Sequence, residues 1–161
     1  MRPWAAAITT ALVLVVSSPR LGAAEEYGIG PWYVLVGQDH AVAVLNDPDQ
    51  TWTLMVRCTD GHIDFVVRRV DEGVASAQPI RHYRATLEID GKTIAQLTAQ
   101  NWSAGGYLIL DVGALLPKLE SGLQIDFTFA SGQSSTQASF LAGHTATALR
   151  PVRDRCSTGV S

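Results

Sequence analysis

Along most of the chain, apolar and polar positions alternate with a period of two. In "TWTLMVRC" (51–58), Trp52, Leu54, Val56 and Cys58 alternate with Thr51, Thr53, Met55 and Arg57. In "HIDFVVRR" (62–69), Ile63, Phe65 and Val67 alternate with His62, Asp64, Val66 and Arg68. Neighbouring side chains of a strand point to opposite faces, so each run predicts a half-buried β-strand. Cys58 then faces the apolar side with Trp52 and Phe65. Asp60-Gly61 between the two runs predicts a type I′ hairpin, whose central residues both take positive φ.

The same pattern recurs. "HYRATLEI" (82–89) turns through Asp90-Gly91 into "KTIAQLT", and "LQIDFTFA" (123–130) turns through "SGQ" into "STQASFLA". "WYVLVG" and "AVAVLN" predict an earlier pair, and "YLILDV" a short buried strand. About eight short strands at close intervals predict an all-β fold, an antiparallel β-sandwich or flattened barrel. Two stretches leave the period. "VGALLPKLESG" (112–122) holds Leu115, Leu116 and Leu119 at helical spacing, but Pro117 and Gly122 limit a helix to about one turn. "GHTATALRPVRDRC" (143–156) places Ala148, Val152 and Cys156 four apart with Leu149 beside them, the apolar stripe of a C-terminal helix that Pro151 should kink or shorten. Residues 25–30, the segment 72–80 and the last five residues are expected to be mobile.

The N-terminal pattern is of another kind. "MRPW" followed by "AAAITTALVLVV" and "SSPRLGAA" has the charged, apolar and small-residue regions of a secretory signal peptide, expected over 1–24. The apolar run is short for a bilayer span. Residues 25–161 are expected to form a single β-sandwich domain, periplasmic or secreted, with no membrane span after cleavage. Loss of Arg2 and Arg20 with the leader leaves ten basic against fifteen acidic residues, a net charge of −5. An acidic surface without a basic run excludes nucleic acid as the expected partner.

Export changes how the two cysteines are read. In an oxidising compartment, Cys58 and Cys156 predict one disulfide. Separate buried thiols or a reactive thiol are the alternatives. No histidine lies at ligand spacing from either cysteine, so neither a metal nor any other cofactor is expected. His40, His62, His82 and His144 form no metal motif. No Gly-x-Ser-x-Gly elbow is present. The outward carboxylates Asp64, Glu88 and Asp126 have arginine neighbours such as Arg57, Arg68 and Arg84 that account for them as salt partners. The chain therefore reads as non-enzymatic. What remains is a charged solvent-facing surface on neighbouring strands, with Arg57, His62, Asp64 and Arg84 as candidate contacts. Ser103 and Tyr107, in the "SAGGY" segment, are a further candidate, with Trp102 beside them.

The ending "ASFLAGHTATALRPVRDRC" resembles the periplasmic accessory proteins of type VI secretion, the TagO/VasI-type proteins. Phe140, Gly143, Ala148, Leu149 and Cys156 follow that family's order, and Trp32, Arg57, Cys58 and Gly61 match its leading tryptophan strand and its earlier cysteine hairpin. The chain departs from the family in lacking a tryptophan after the last cysteine. The resemblance implies a β-sandwich of the Gram-negative periplasm with a cysteine pair, an accessory or binding role, and an envelope or host protein as partner; it carries no catalytic residue. The invasion-associated locus B family is similar in shape. "CTDG" and "SAGGY" also resemble elements of periplasmic C-type lysozyme inhibitors, which would place the 103–107 loop in a muramidase cleft. An envelope hydrolase is the remaining alternative.

Overall fold

The structure, a computed structural model, describes residues 24–70, 79–102 and 106–158. Ten strands follow in chain order: β1 (Glu25–Ile29), β2 (Trp32–Val36), β3 (Ala41–Asn46), β4 (Trp52–Thr59), β5 (His62–Arg69), β6 (His82–Ile89), β7 (Lys92–Trp102), β8 (Gly106–Ile109), β9 (Gln124–Ser131) and β10 (Ser134–Leu141). A 3-10 turn at Gly113–Leu115 leads into the one-turn helix α1 (Leu116–Glu120), and α2 (Thr145–Thr158) ends the described chain. The strands form a single antiparallel sheet in the order β1-β2-β3-β4-β5-β8-β7-β6-β9-β10.

That sheet folds over on itself. Phe65 on β5 and Phe127 on β9 are four strand steps apart in the sheet, yet their rings meet edge to face at 6.0 Å. Tyr107 on β8 stacks on Phe129 of β9 at 3.8 Å. The inward set is the one the alternation predicts: Leu54, Val56, Phe65, Val67, Ala85, Leu87, Phe127 and Phe129 are all buried. The result is an antiparallel β-sandwich or flattened barrel, open between β1 and β10. Both Asp-Gly turns have their expected form, with φ of 51° and 79° at Asp60-Gly61 and 51° and 73° at Asp90-Gly91.

α2 covers the inner side of β2 to β5 with Ala148, Leu149, Val152 and Cys156. Cys156 bonds to Cys58 on β4, with Cα atoms 5.5 Å apart. The predicted disulfide thus closes a sequence separation of 98 residues. Arg153 donates to Glu120 of α1 at 2.7 Å, and Arg155 donates to the Gly37 carbonyl at 2.7 Å, so the C-terminal half of α2 is tied both to α1 and to the turn after β2.

Several expectations are corrected. The described residues form ten strands, not about eight. Residues 25–29 are not loose: they pair with β2 along their whole length. The helix neither kinks to a stop at Pro151 nor ends before the last five residues; it runs to Thr158. Proline removes one backbone hydrogen bond there, and the buried stripe on both sides of it holds the helix together. Leu123 was expected inside but is 71% exposed, because β9 begins one residue later. The expected leader, save Ala24, and all but residues 79 and 80 of the 72–80 segment lie outside the described residues.

Candidate binding surfaces

The predicted charged face is only partly one surface. The tight β4–β5 hairpin sets Arg57 directly opposite Asp64. Arg57 Nη2 stands 3.7 Å from Asp64 Oδ2, and Asp64 Oδ1 accepts the Asp111 backbone N–H at 3.1 Å. β8 pairs with β5, and β7 with β8, which brings Trp102 two strands beyond β5. There the Arg57 guanidinium lies over the Trp102 ring, 4.6 Å from its centroid.

This stack explains an oddity of burial. Asp64 and Val66 point outward by phase, yet both are buried. Val66 lies in the row Met55–Val66–Leu108, between the row of Asp64 and the row of Arg68, Gly106 and Trp102. The line from Arg57 to Trp102 crosses the row of Val66 and Leu108, so the two stacked side chains together span it. Gly106 is what lets β8 sit so close: a Cβ there would stand 2.6 Å from the Val67 carbonyl oxygen and 2.9 Å from Arg68 Cα. Arg57 Nε is buried and has no hydrogen-bond partner among the described residues. An unpaired buried donor is costly, and this one is closed to solvent, as is Arg68 Nε.

The other candidates fall elsewhere. His62 Nδ1 is 3.6 Å from Asp111 Oδ1, both side chains well exposed at the rim of this face. Arg84 is exposed on β6, but β8 and β7 separate β6 from β5, so it stands four strand steps from Arg57 in the sheet. The sequence shows β5 and β6 as consecutive; the sheet does not make them neighbours. Tyr107 packs in the interior aromatic cluster, 3.8 Å from Phe129, 5.1 Å from Tyr83 and 6.4 Å from Trp52 between ring centroids. Ser103 lies outside the described residues.

A second feature has no counterpart in the alternation. The β3–β4 turn stands beside β10, and between them runs a groove of about 590 Å³. Asp47, Asp49 and Trp52 line one wall, Gln137, Ser139 and Leu141 the other, with Gln124 at one end. Asp47 shapes the turn: its Oδ1 accepts the backbone N–H groups of Thr51 at 2.7 Å and Trp52 at 3.0 Å. Asp126, behind the β10 wall, is buried. Among the described residues it has no arginine partner; Gln124 Nε2 donates to its oxygens at 3.0 and 3.2 Å, and the Ser139 hydroxyl donates to Oδ1. Only the meeting of a turn and a strand far apart in sequence creates this groove, so no local pattern announces it.

Among the described residues, no three His, Cys, Asp or Glu side chains converge as a metal site, and no helix is long and apolar enough to cross a membrane. No protein-family model, curated protein or solved structure matches the chain.

Proposed function

We propose that this chain is an exported, non-enzymatic binding or accessory protein of the cell envelope. Its partner is a protein, engaged through the outward face of β4, β5, β8 and β7. The observation that carries the proposal is the Arg57–Trp102 stack beside a buried Asp64. Arginine and tryptophan are the residue types that most often anchor protein interfaces. Here they are already held in one conformation by the sheet, so little rotamer freedom is lost on binding. The disulfide between β4 and α2 suits an oxidising compartment, and the N-terminal pattern suits export. The resemblance to type VI secretion accessory proteins makes the envelope components of such a machine, or a host protein, the first partners to seek.

The test is co-purification from cross-linked envelopes with tagged wild-type protein and the Trp102→Ala and Arg57→Ala variants. A discrete partner recovered with the wild type and lost with both variants supports the proposal. A partner retained by both variants moves the site off this face. Turnover of an envelope polymer by the purified protein would replace the binding role with an enzymatic one.

A further inference from the structure

The sheet ends on two edges, β1 and β10, and they are not alike. β1 begins with Glu25 and Glu26, both exposed, and charge of this kind keeps a strand edge from pairing with another chain. β10, "SSTQASFL", carries no charged residue and no proline. Nothing in its sequence guards it.

The direction of its free backbone groups follows from one hydrogen bond. The Ala142 N–H donates to the Leu123 carbonyl at 2.7 Å, one step beyond the opposed pair Leu141 and Gln124. In an antiparallel ladder, hydrogen-bonded pairs alternate with pairs that are not. Phe140, Ala138 and Thr136 therefore direct their backbone groups to β9, while Leu141, Ser139 and Gln137 direct theirs away from it. The far side of β9 agrees: the Asp90 N–H donates to the Gln124 carbonyl at 3.0 Å, so Gln124 faces β6 and not β10. Gln137, Ser139 and Leu141 are also the β10 residues that line the groove. The three β10 residues whose peptide groups point away from β9 thus border a space of about 590 Å³, with the β3–β4 turn along its other side.

Among the described residues, Asp47 and Asp49 are the charged side chains that line this space; the nearby cation, Arg69, is turned onto the Trp52 ring, 6.0 Å from its centroid. Asp126, just behind Ser139, is bonded only to neutral donors.

We infer that β10 receives an extended segment of a partner protein as an added strand, and that this segment carries lysine or arginine. The peptide backbone satisfies the edge groups of Gln137, Ser139 and Leu141, as in other cases of strand addition. Its basic side chains meet the carboxylates of the β3–β4 turn. A second copy of this chain is a poor occupant, because its own β10 has no cation to offer. The site is separate from the Arg57–Trp102 face and stands or falls independently of it.

The test is binding of a labelled nine-residue peptide of alternating valine and lysine to the purified protein, read by fluorescence anisotropy and by amide hydrogen exchange. Binding should slow exchange at Gln137, Ser139 and Leu141, leaving the already bonded amides of Ala138 and Phe140 unchanged. Gln137→Pro removes one groove-facing N–H at an edge position where proline is tolerated, and should weaken binding at least tenfold. Asp49→Lys, in the exposed turn, should weaken it at least threefold and serves should the proline variant fail to fold. Equal binding by a peptide N-methylated at every residue would overturn strand addition, as would protection appearing away from β10. Equal binding by a valine–glutamate peptide would overturn the preference for a basic segment. Concentration-dependent dimers abolished by Gln137→Pro would overturn the choice of occupant in favour of a second copy.

Discussion

Arg57 and Asp64 face each other across the β4–β5 hairpin, and it is the acid, not the base, that is buried: their side chains are 24% and 7% exposed. Asp64 is thus the anchor of the pair. It holds Arg57 from one side while accepting the Asp111 backbone N–H from the other, and Trp102 holds the guanidinium from above. Asp64→Ala should cost about 1–3 kcal/mol, since it leaves a backbone donor and a partly buried guanidinium without their acceptor. Asp64→Asn should cost less, because the amide oxygen can still accept from Asp111. Adding Arg57→Ala to Asp64→Ala should restore part of the loss, a coupling readable by urea denaturation of the four proteins. Additive losses would show that the two side chains do not act together.

The Cys58–Cys156 bond closes 98 residues, nearly the whole described domain. For a loop of about that length the chain-entropy model gives roughly 4–5 kcal/mol. Replacing both cysteines by alanine should lower the unfolding free energy by about that amount. It should also free the C-terminal half of α2 first, seen as faster amide exchange after Pro151 than in β4. Equal loss of protection in both elements would show that the bond stabilises the domain as one unit.

Pro151 sits within α2 with the helix continuing on both sides. A proline in a helix interior costs about 3 kcal/mol relative to alanine. Pro151→Ala should therefore stabilise the protein by about 1–3 kcal/mol, the lower end applying if the ring's own packing is lost. Thermal melting checks the sign, and a drop in melting temperature would mean that the half-buried ring contributes more than the missing hydrogen bond.

At the other edge, the Tyr33 hydroxyl donates to Glu26 Oε2 at 2.5 Å. That hydrogen bond, then partial desolvation, then the charge of Glu26 raise the phenol above its ordinary value of 10.0. A raised value means the fold favours the protonated phenol, so this contribution is present at neutral pH and fades as pH rises through the folded-state value. Glu26→Gln should bring the phenolate absorbance titration back towards the ordinary value. An unchanged titration would show that β1 does not hold Glu26 against Tyr33.

What the sequence discloses here is local and phased. Period-two alternation assigned Leu54, Phe65 and Phe127 to the interior; two Asp-Gly pairs placed both hairpins; and a four-residue spacing put Ala148, Val152 and Cys156 on one helix face. Strand order is a different matter. Nothing in residues 62–89 tells that β8 and β7 come between β5 and β6, so Arg84 could be placed on the outward side but not far from Arg57. Trp102 and Tyr107 look equivalent beside their loop, yet the pairing of β7 with β8 turns one onto Arg57 and the other into the aromatic core. Asp126 reads as a surface carboxylate until β10 lays Ser139 against it. Pro151 reads as a helix limit because propensity weighs one residue's lost bond, whereas the buried faces of four neighbours decide the outcome.

The most direct measurement is site-specific photo-cross-linking in the native envelope, with a photoreactive side chain at Leu110 or at Leu123. Leu110 follows β8 and continues the outward row of Arg57 and Asp64; Leu123 precedes β9, away from that face; both are largely exposed. A binding role for the Arg57–Trp102 face predicts a discrete protein adduct from position 110 that is lost in the Trp102→Ala background, while position 123, which adjoins Gln124 and Leu141 of the β10 groove, reports on that separate site and keeps any adduct there in the same background. No adduct from position 110, or one that persists without Trp102, would contradict it.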